Sequence, residues 1–559
     1  MKSPLRLSPL SVSLTLFALA APLVLGAADI PRLQRNGAAT QLMVDGKPYL
    51  ALAGELHNSS ASSRQYMASI WPKLKQMNLN TVLATVQWDM IEPAEGKFDF
   101  SSVDGLIEDA RKNNLKLALL WFGSWKNGLS HYTPEWVKAD RKRFPYALTR
   151  HGTVEILSVF SEEARAADAR AFAALMRHIK EVDTARTVLM VQVENEVGLH
   201  ADARDRSAIA DTAFAQAVPA DVLKNLSERR DTLGTSLHGV WQRAGFKTSG
   251  TWADVFGTSP AAEEAFQAWG YARYVDSVAA AGKAEYPLPM FVNAWIVQPQ
   301  DELPGDYPSG GPQAHSLDMW RATARHIDIF APDIYLPNFT EVCSQFARAG
   351  DAFFVPESKA GVEGVANAFT AIGHFNSIGY SPFGIETREA NPGTGPISHA
   401  YALLAQLAPQ ILEHQAKGDI AAVTLTRQNP TQLIELGDYI LKAAMVADRR
   451  GAGPSPETGY MMAMQTGKDE FVVSGGDLQV SFFAKAAASD ETVGLARVEE
   501  LNFENNQWVP GRRLNGDEVM LAYDFDRLAA THDTGTGLRF VGSEPTVQRV
   551  KLYRFGPAK

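Results

Sequence analysis

The chain of 559 residues is 45% hydrophobic and 21% charged, a globular composition that excludes a disordered or fibrous protein and leaves material for more than one domain. Its formal net charge of -10, with no continuous stripe of Lys or Arg, argues against nucleic acid or an anionic membrane surface as partner. A single cysteine, Cys343, excludes an intramolecular disulfide, and its setting in "EVCSQF" has none of the marks of a thiolate site.

In chain order, residues 1–28 come first: Lys2 and Arg6 precede an apolar run that closes on Gly26, Ala27 and Ala28. This pattern predicts a secretory signal peptide and an exported, periplasmic or secreted protein. The alternative, an uncleaved membrane anchor, is disfavoured by the short run and by Pro22 within it. No later segment is long and apolar enough to span a bilayer, so no stable membrane insertion is expected after signal removal.

Residues 29–410 alternate short apolar runs with segments of helical periodicity. The runs are "PYLALAGEL", "NTVLATVQW", "LKLALLWFG", "TVLMVQVEN", "LPMFVNAW", "IFAPDIY", "AFFVPES" and "IGYSPFGIE". Near-continuous apolar strands separated by helices describe a parallel sheet covered on both faces, and this number fits an α/β fold of the (β/α)8 TIM-barrel type. The long interval from Val197 to about Pro287 reads as extra helices over the mouth. Residues 411–559 change texture: segments such as "EFVVSGGDLQVSFFAK" and "TVQRVKLYRF" alternate apolar and polar residues between Gly, Asn and Asp turns. They predict a C-terminal antiparallel β-sandwich-like domain.

In such a barrel the active site lies at the C-terminal ends of the strands. That rule selects Glu55 and His57, Trp88 and Asp89, Trp121 and Trp125, then Glu194, Asn195 and Glu196. It adds Asn293 and Trp295, Tyr335, Glu357 and Glu386. Carboxylates and tryptophans gather on one rim, with no Cys/His ligand set for a metal and no glycine-rich phosphate loop. The tryptophans Trp88, Trp121, Trp125 and Trp295 suit stacking on sugar rings, although core packing is the ordinary use of any one of them. Cleaving a glycosidic bond needs a carboxylic acid for the departing oxygen and a second carboxylate on the opposite face of the sugar. Strands four and seven face each other across the mouth, which points to Glu196 and Glu357. Spacing alone leaves Glu194 and Glu196 equivalent, since a regular strand puts both on one face. A kink is required to separate them and to reorient Asn195.

Four stretches, "LMVDGKPYLALAGELHNSS", "VQWDMIEPAEGKFDF", "VQVENEVG" and "FVPES", resemble glycoside hydrolase family 35 of clan A, the β-galactosidases, and the C-terminal part resembles the small β-domain of a bacterial branch. The resemblance implies a retaining, exo-acting β-galactosidase that releases terminal galactosyl residues from oligo- or polysaccharides such as xyloglucan fragments. It implies Glu196 as acid/base, Glu357 as nucleophile and Asn195 as a contact to the sugar 2-hydroxyl. Glu194 becomes a sugar-binding or charge-tuning residue, His57 orients hydroxyls, and Tyr335 hydrogen-bonds the nucleophile. No cofactor is implied, and the partner is a carbohydrate; nothing in the sequence sets an oligomeric state. Ser124, in "WFGSWKNG", stands where the family carries a galactose-binding glutamate; Trp125, Lys126 and Asn127 are candidates to replace its contacts. A β-glucosidase, β-xylosidase or α-L-arabinopyranosidase shares this machinery, and a carbohydrate-binding barrel without catalysis is the rival from another class.

Overall fold

The computed structural model describes residues 29–389, 391–446, 456–485, 491–522 and 533–556; the signal peptide expected over residues 1–28 lies outside them. Eight parallel strands close into a barrel: β1 (Ala51–Glu55), β2 (Thr81–Gln87), β3 (Lys116–Lys126), β4 (Val188–Asn195), β5 (Met290–Trp295), β6 (Ile329–Ile334), β7 (Val355–Ser358) and β8 (Gly379–Pro382). The ring closes where Ala51 and Leu52 of β1 pair with Gly379 and Tyr380 of β8. Almost every strand residue is buried, as expected where helices cover one face and the barrel interior the other.

Inside, Ala53, Leu83, Ala118, Phe291, Ala331 and Phe354 form an apolar cluster of their own. Small and large side chains alternate in it, which fills a narrowing interior. Leu42 and Val44 belong to the same cluster but come from an antiparallel sheet of Arg32–Asn36, Ala39–Val44 and Lys47–Tyr49. That hairpin seals the end of the barrel opposite the strand C-termini. The run read as one strand from 48 to 56 therefore divides at Leu50: Lys47–Tyr49 serves the hairpin and β1 the barrel.

The interval after β4 contains four short α-helices, a 3-10 turn and one long helix, α2 (Pro260–Glu285). Helix α2 starts on Ser259, whose side chain accepts the Ala262 N–H, with Pro260 in the first turn, a placement that wastes no backbone donor. It packs along α1 (Glu162–Val182), where Gly282 admits the Phe172 ring. The last third of the insertion is thus the outer helix that succeeds β4, rather than a cover over the mouth.

Two helices bind the barrel to the C-terminal part of the chain, α3 (Gly361–His374) and α4 (Pro396–Lys417). Helix α4 runs through residue 410 and ends on Gly418 in the left-handed region, a common helix stop. Beyond it lie two antiparallel sheets, one of six strands and one of four, facing each other across Leu425, Met461, Phe471, Val480, Leu538 and Val550. The protein is a (β/α)8 barrel with an antiparallel β-domain after it. The barrel core extends into that domain: Ala422, Tyr460 and Met462 belong to it, Tyr460 packs on Phe369 at 4.9 Å, and Thr370 bonds Thr424 at 2.7 Å. Among the described residues no helix is long and apolar enough to cross a membrane.

Candidate active site

At the end of β4, Glu194 and Glu196 both lie at positive φ, +63° and +43°. A non-glycine residue in that region costs about 1 kcal/mol, and the cost sends the two carboxylates apart. Glu194 turns outward into the layer between β3 and α1. One of its oxygens accepts the Trp125 N–H at 2.8 Å, and the carboxyl meets Asp168 of α1. Asp168 in turn accepts the Trp121 indole N–H at 2.9 Å and the Ser124 hydroxyl at 2.6 Å. Burial, reinforced by the charge on Asp168, holds Glu194 well above the ordinary carboxylate range, and the two side chains form a buried structural clamp behind the site. Gly123 makes room for it: a Cβ there would stand 2.4 Å from Trp121 Nε1 and 2.6 Å from the Glu194 carboxylate.

Glu196 turns the other way, into the mouth. Its backbone N–H donates to Asn293 Oδ1 at 2.9 Å, its carboxylate accepts from the Asn127 amide, and it is in hydrogen-bond contact with Asp333 of β6. Oxygens of Glu196, Asp333 and Glu357 all lie within 4.8 Å of one another. Glu55 joins them from β1, and all four carboxyls are buried. Burial, then the charge of Glu196, pushes Glu357 up to about 7, while Lys126 and the Tyr335 hydroxyl oppose the rise. Burial raises Glu196 as well, held back by Lys126, Asp333 and Asn127. Asp333 is driven well above its usual range by burial and by Glu357, Glu196 and Glu55. Lys126, only 7% exposed, lies over the Phe122 ring at 5.4 Å and is the cation among these acids.

Around this centre the Asn195 amide is buried, with neither its oxygen nor its nitrogen paired among the described residues. A buried amide left open on both ends is a costly feature unless a ligand meets it. His57 packs edge-on to Phe383 at 5.2 Å and bonds Thr387 Oγ1 at 2.8 Å, while its backbone N–H and the Ser60 hydroxyl hold Glu386. Trp295, half-buried, meets His200 edge-on at 6.4 Å and lines a cavity of about 720 Å³ beside the mouth, with Gln313, His315 and Leu336.

Three expected sugar platforms are corrected. Trp88, Trp121 and Trp125 are fully buried; Trp88 gives its N–H to Glu92 at 2.8 Å, Trp121 to Asp168, and Trp125 is wedged between Tyr271 and Tyr274. They are core residues with no face to offer a sugar. Glu194, expected to bind sugar or tune the acid, is likewise fully buried and faces Asp168. Asp333 escapes a reading of strand ends because it sits inside the run "IFAPDIY", which closes on Tyr335; an ionisable residue within an apolar strand is the available signal. Asp168 gives none, being one of many acids on an amphipathic helix.

A closed barrel with two carboxylates opposed across its mouth is an arrangement suited to glycosidic chemistry, and comparison with known proteins bears on it. Residues 58–242 match the family model of glycoside hydrolase 42, described as beta-galactosidase; residues 397–524 match a domain of unknown function, DUF5597. A beta-galactosidase of Xanthomonas manihotis is 30% identical over 184 residues, 31% of this chain and 27% of that protein. Beta-galactosidase 11 of Arabidopsis thaliana is 30% identical over 136 residues, 22% of this chain and 16% of that protein. The chain thus spans 27% and 16% of the length of the two curated relatives it matches. Among solved structures, a beta-galactosidase from Bacillus circulans aligns with TM-score 0.44 and 16% identity over 65% of this chain and 57% of that one. One from Rahnella sp. R3 aligns with TM-score 0.45 and 15% identity over 69% and 61%. Over residues 58–242 the chain is similar to the glycoside hydrolase 42 family model.

Proposed function

We propose that the protein is an exported, retaining, exo-acting β-galactosidase, with Glu357 as nucleophile and Glu196 as acid/base. The observation that supports it is the approach of Glu196 and Glu357 oxygens to within 4.8 Å. Retaining glycosidases hold their two carboxyl groups about 5–5.5 Å apart, whereas inverting ones need about 6.5–9.5 Å to admit a water. In this reading Glu357 attacks the anomeric carbon while Glu196 protonates the leaving oxygen; Glu196 then takes a proton from water as that water displaces Glu357. Tyr335 holds the nucleophile, and the open amide of Asn195 meets a sugar hydroxyl. The galactosyl preference is carried by the β-galactosidase match and by the resemblance to family 35. Families 35 and 42 are both described as β-galactosidases, and the reading rests on what they share. Galactosylated plant oligosaccharides such as xyloglucan fragments are the substrates we favour.

Labelling with a 2-deoxy-2-fluoro-β-galactoside and then peptide mapping should place a covalent adduct on Glu357; activity without an adduct there removes the nucleophile assignment. Faster turnover of aryl β-glucosides or β-xylosides than of the β-galactoside would transfer the specificity to those sugars. Glu196→Gln should lose activity by about 10²–10⁴-fold on poor leaving groups and much less on good ones, and azide should restore part of the loss in Glu196→Gly. Uniform loss with no rescue counts against its role.

A further inference from the structure

The double-displacement reading requires two carboxyl groups, yet a third, Asp333, sits among them. It pairs in register with Glu357 on β7, and one of its oxygens lies within 4.8 Å of one on Glu196, just past β4. One of its oxygens accepts the Asn293 amide at 2.6 Å; the other, Oδ1, is buried and has no donor among the described residues. Asn293 also accepts the Glu196 N–H, so a single amide fixes both partners. Two carboxyl groups in contact inside a buried pocket cannot both be ionised without severe repulsion, and one proton placed between them turns that repulsion into a hydrogen bond.

Resting on the acid/base reading of Glu196, we infer that Asp333 is a positioning residue whose carboxyl shares one proton with Glu196, so that the acid is delivered protonated and aimed at the leaving oxygen. In the resting enzyme the pair carries one negative charge and Glu357 another. When Glu357 forms its bond to the anomeric carbon it becomes an ester and loses its charge, and the proton leaves Glu196 for the departing alcohol. The pair then carries two negative charges and Glu357 none, so the total is unchanged. The second ionisation of the pair is tolerable at that step because the neighbouring charge has just disappeared. In the second step water gives its proton to Glu196, its oxygen takes the sugar, and Glu357 is released as a carboxylate, restoring the resting state.

The groups facing the pair are Glu55 on β1, Lys126 on β3, His200 after β4, Tyr335 after β6 and Glu357 on β7, with Glu386 beyond Glu55. Lys126 is the basic side chain among them, and its charge favours ionisation of Glu55, Glu196 and Glu357. It offsets part of the repulsion without singling out Glu196. Asp333, which takes no part in the covalent step, is placed to hold a proton for that residue.

The test is Asp333→Asn, read by pH profiles of kcat/KM on alkyl and dinitrophenyl β-galactosides. The last proton leaves the pair against the charge already on its partner; Asp333→Asn removes that charge, so the basic limb should move down by about one pH unit. Activity on the alkyl substrate should fall about 10²-fold at neutral pH, while the dinitrophenyl substrate, which needs no proton, changes by less than about threefold. Equal loss on both substrates with an unmoved basic limb overturns the inference. Trapping by a fluorosugar with a dinitrophenyl leaving group should remain near the wild-type rate; failure of wild type to be trapped strikes the underlying glycosidase reading instead. If the variant does not fold, infrared titration of the wild type decides. A carboxylic C=O band should vanish in step with the basic limb, and no such band refutes the shared proton.

Discussion

Glu357 illustrates how a reactive side chain weighs on the fold that carries it. Burial and the charge of Glu196 push it up to about 7, whereas a glutamate in the unfolded chain titrates near 4.3. Between those values the folded protein binds more protons than the unfolded one, so stability falls as pH rises through that window. Glu357→Gln should therefore stabilise the fold above pH about 7, by on the order of 1–3 kcal/mol, raising the unfolding temperature there, and bring no gain below pH about 4. Calorimetry at two pH values checks this, and an equal effect at both refutes it. The same ionisation should reduce kcat/KM as pH drops below about 7. The pairing of Glu357 with Glu196 is legible in the sequence because both close apolar runs. The fate of Glu194 is not, because the left-handed backbone that turns it outward leaves no mark in residue type. The buried tryptophans mislead for a related reason: a position at a strand end does not say which way an indole points.

The strands and their order around the barrel can be read from hydrophobic runs and helical periodicity, but the N-terminal hairpin cannot. Its last strand and β1 form one uninterrupted apolar stretch, and a change of sheet at Leu50 alters no residue class. Yet Leu42 is fully buried and plugs the interior cluster. Leu42→Ala should cost about 2–5 kcal/mol of stability and leave KM unchanged, since the mouth lies at the other end; denaturant melts with kinetics on the folded variant separate the two effects. A second element-level case is Gly123 on β3. Gly123→Ala should disturb the clamp of Glu194, Asp168 and Trp121, quench or shift the tryptophan emission, and lower kcat through displacement of the adjoining Lys126–Asn127 turn. An unchanged spectrum together with unchanged kcat would show that the layer behind the site tolerates the methyl group.

Across the whole molecule, alternating residues make the C-terminal sheets readable from sequence, but not how tightly they join the barrel. Gly373 of α3 lies so close to the β-domain that a Cβ would stand 2.7 Å from Ala422 and 2.9 Å from Met462. With core residues shared across this seam, heat should unfold barrel and β-domain in one calorimetric transition, and a chain ending after Lys417 should aggregate; two separable transitions would refute the coupling. The seam also bears on how such a protein can be recombined. Crossover between related genes near residue 410 would cut through α4 and exchange one half of a fitted surface, so chimeras joined there would fail by misfit even when each parental half is sound. Shuffling would succeed only where α3, α4 and the strands against them pass together to the offspring.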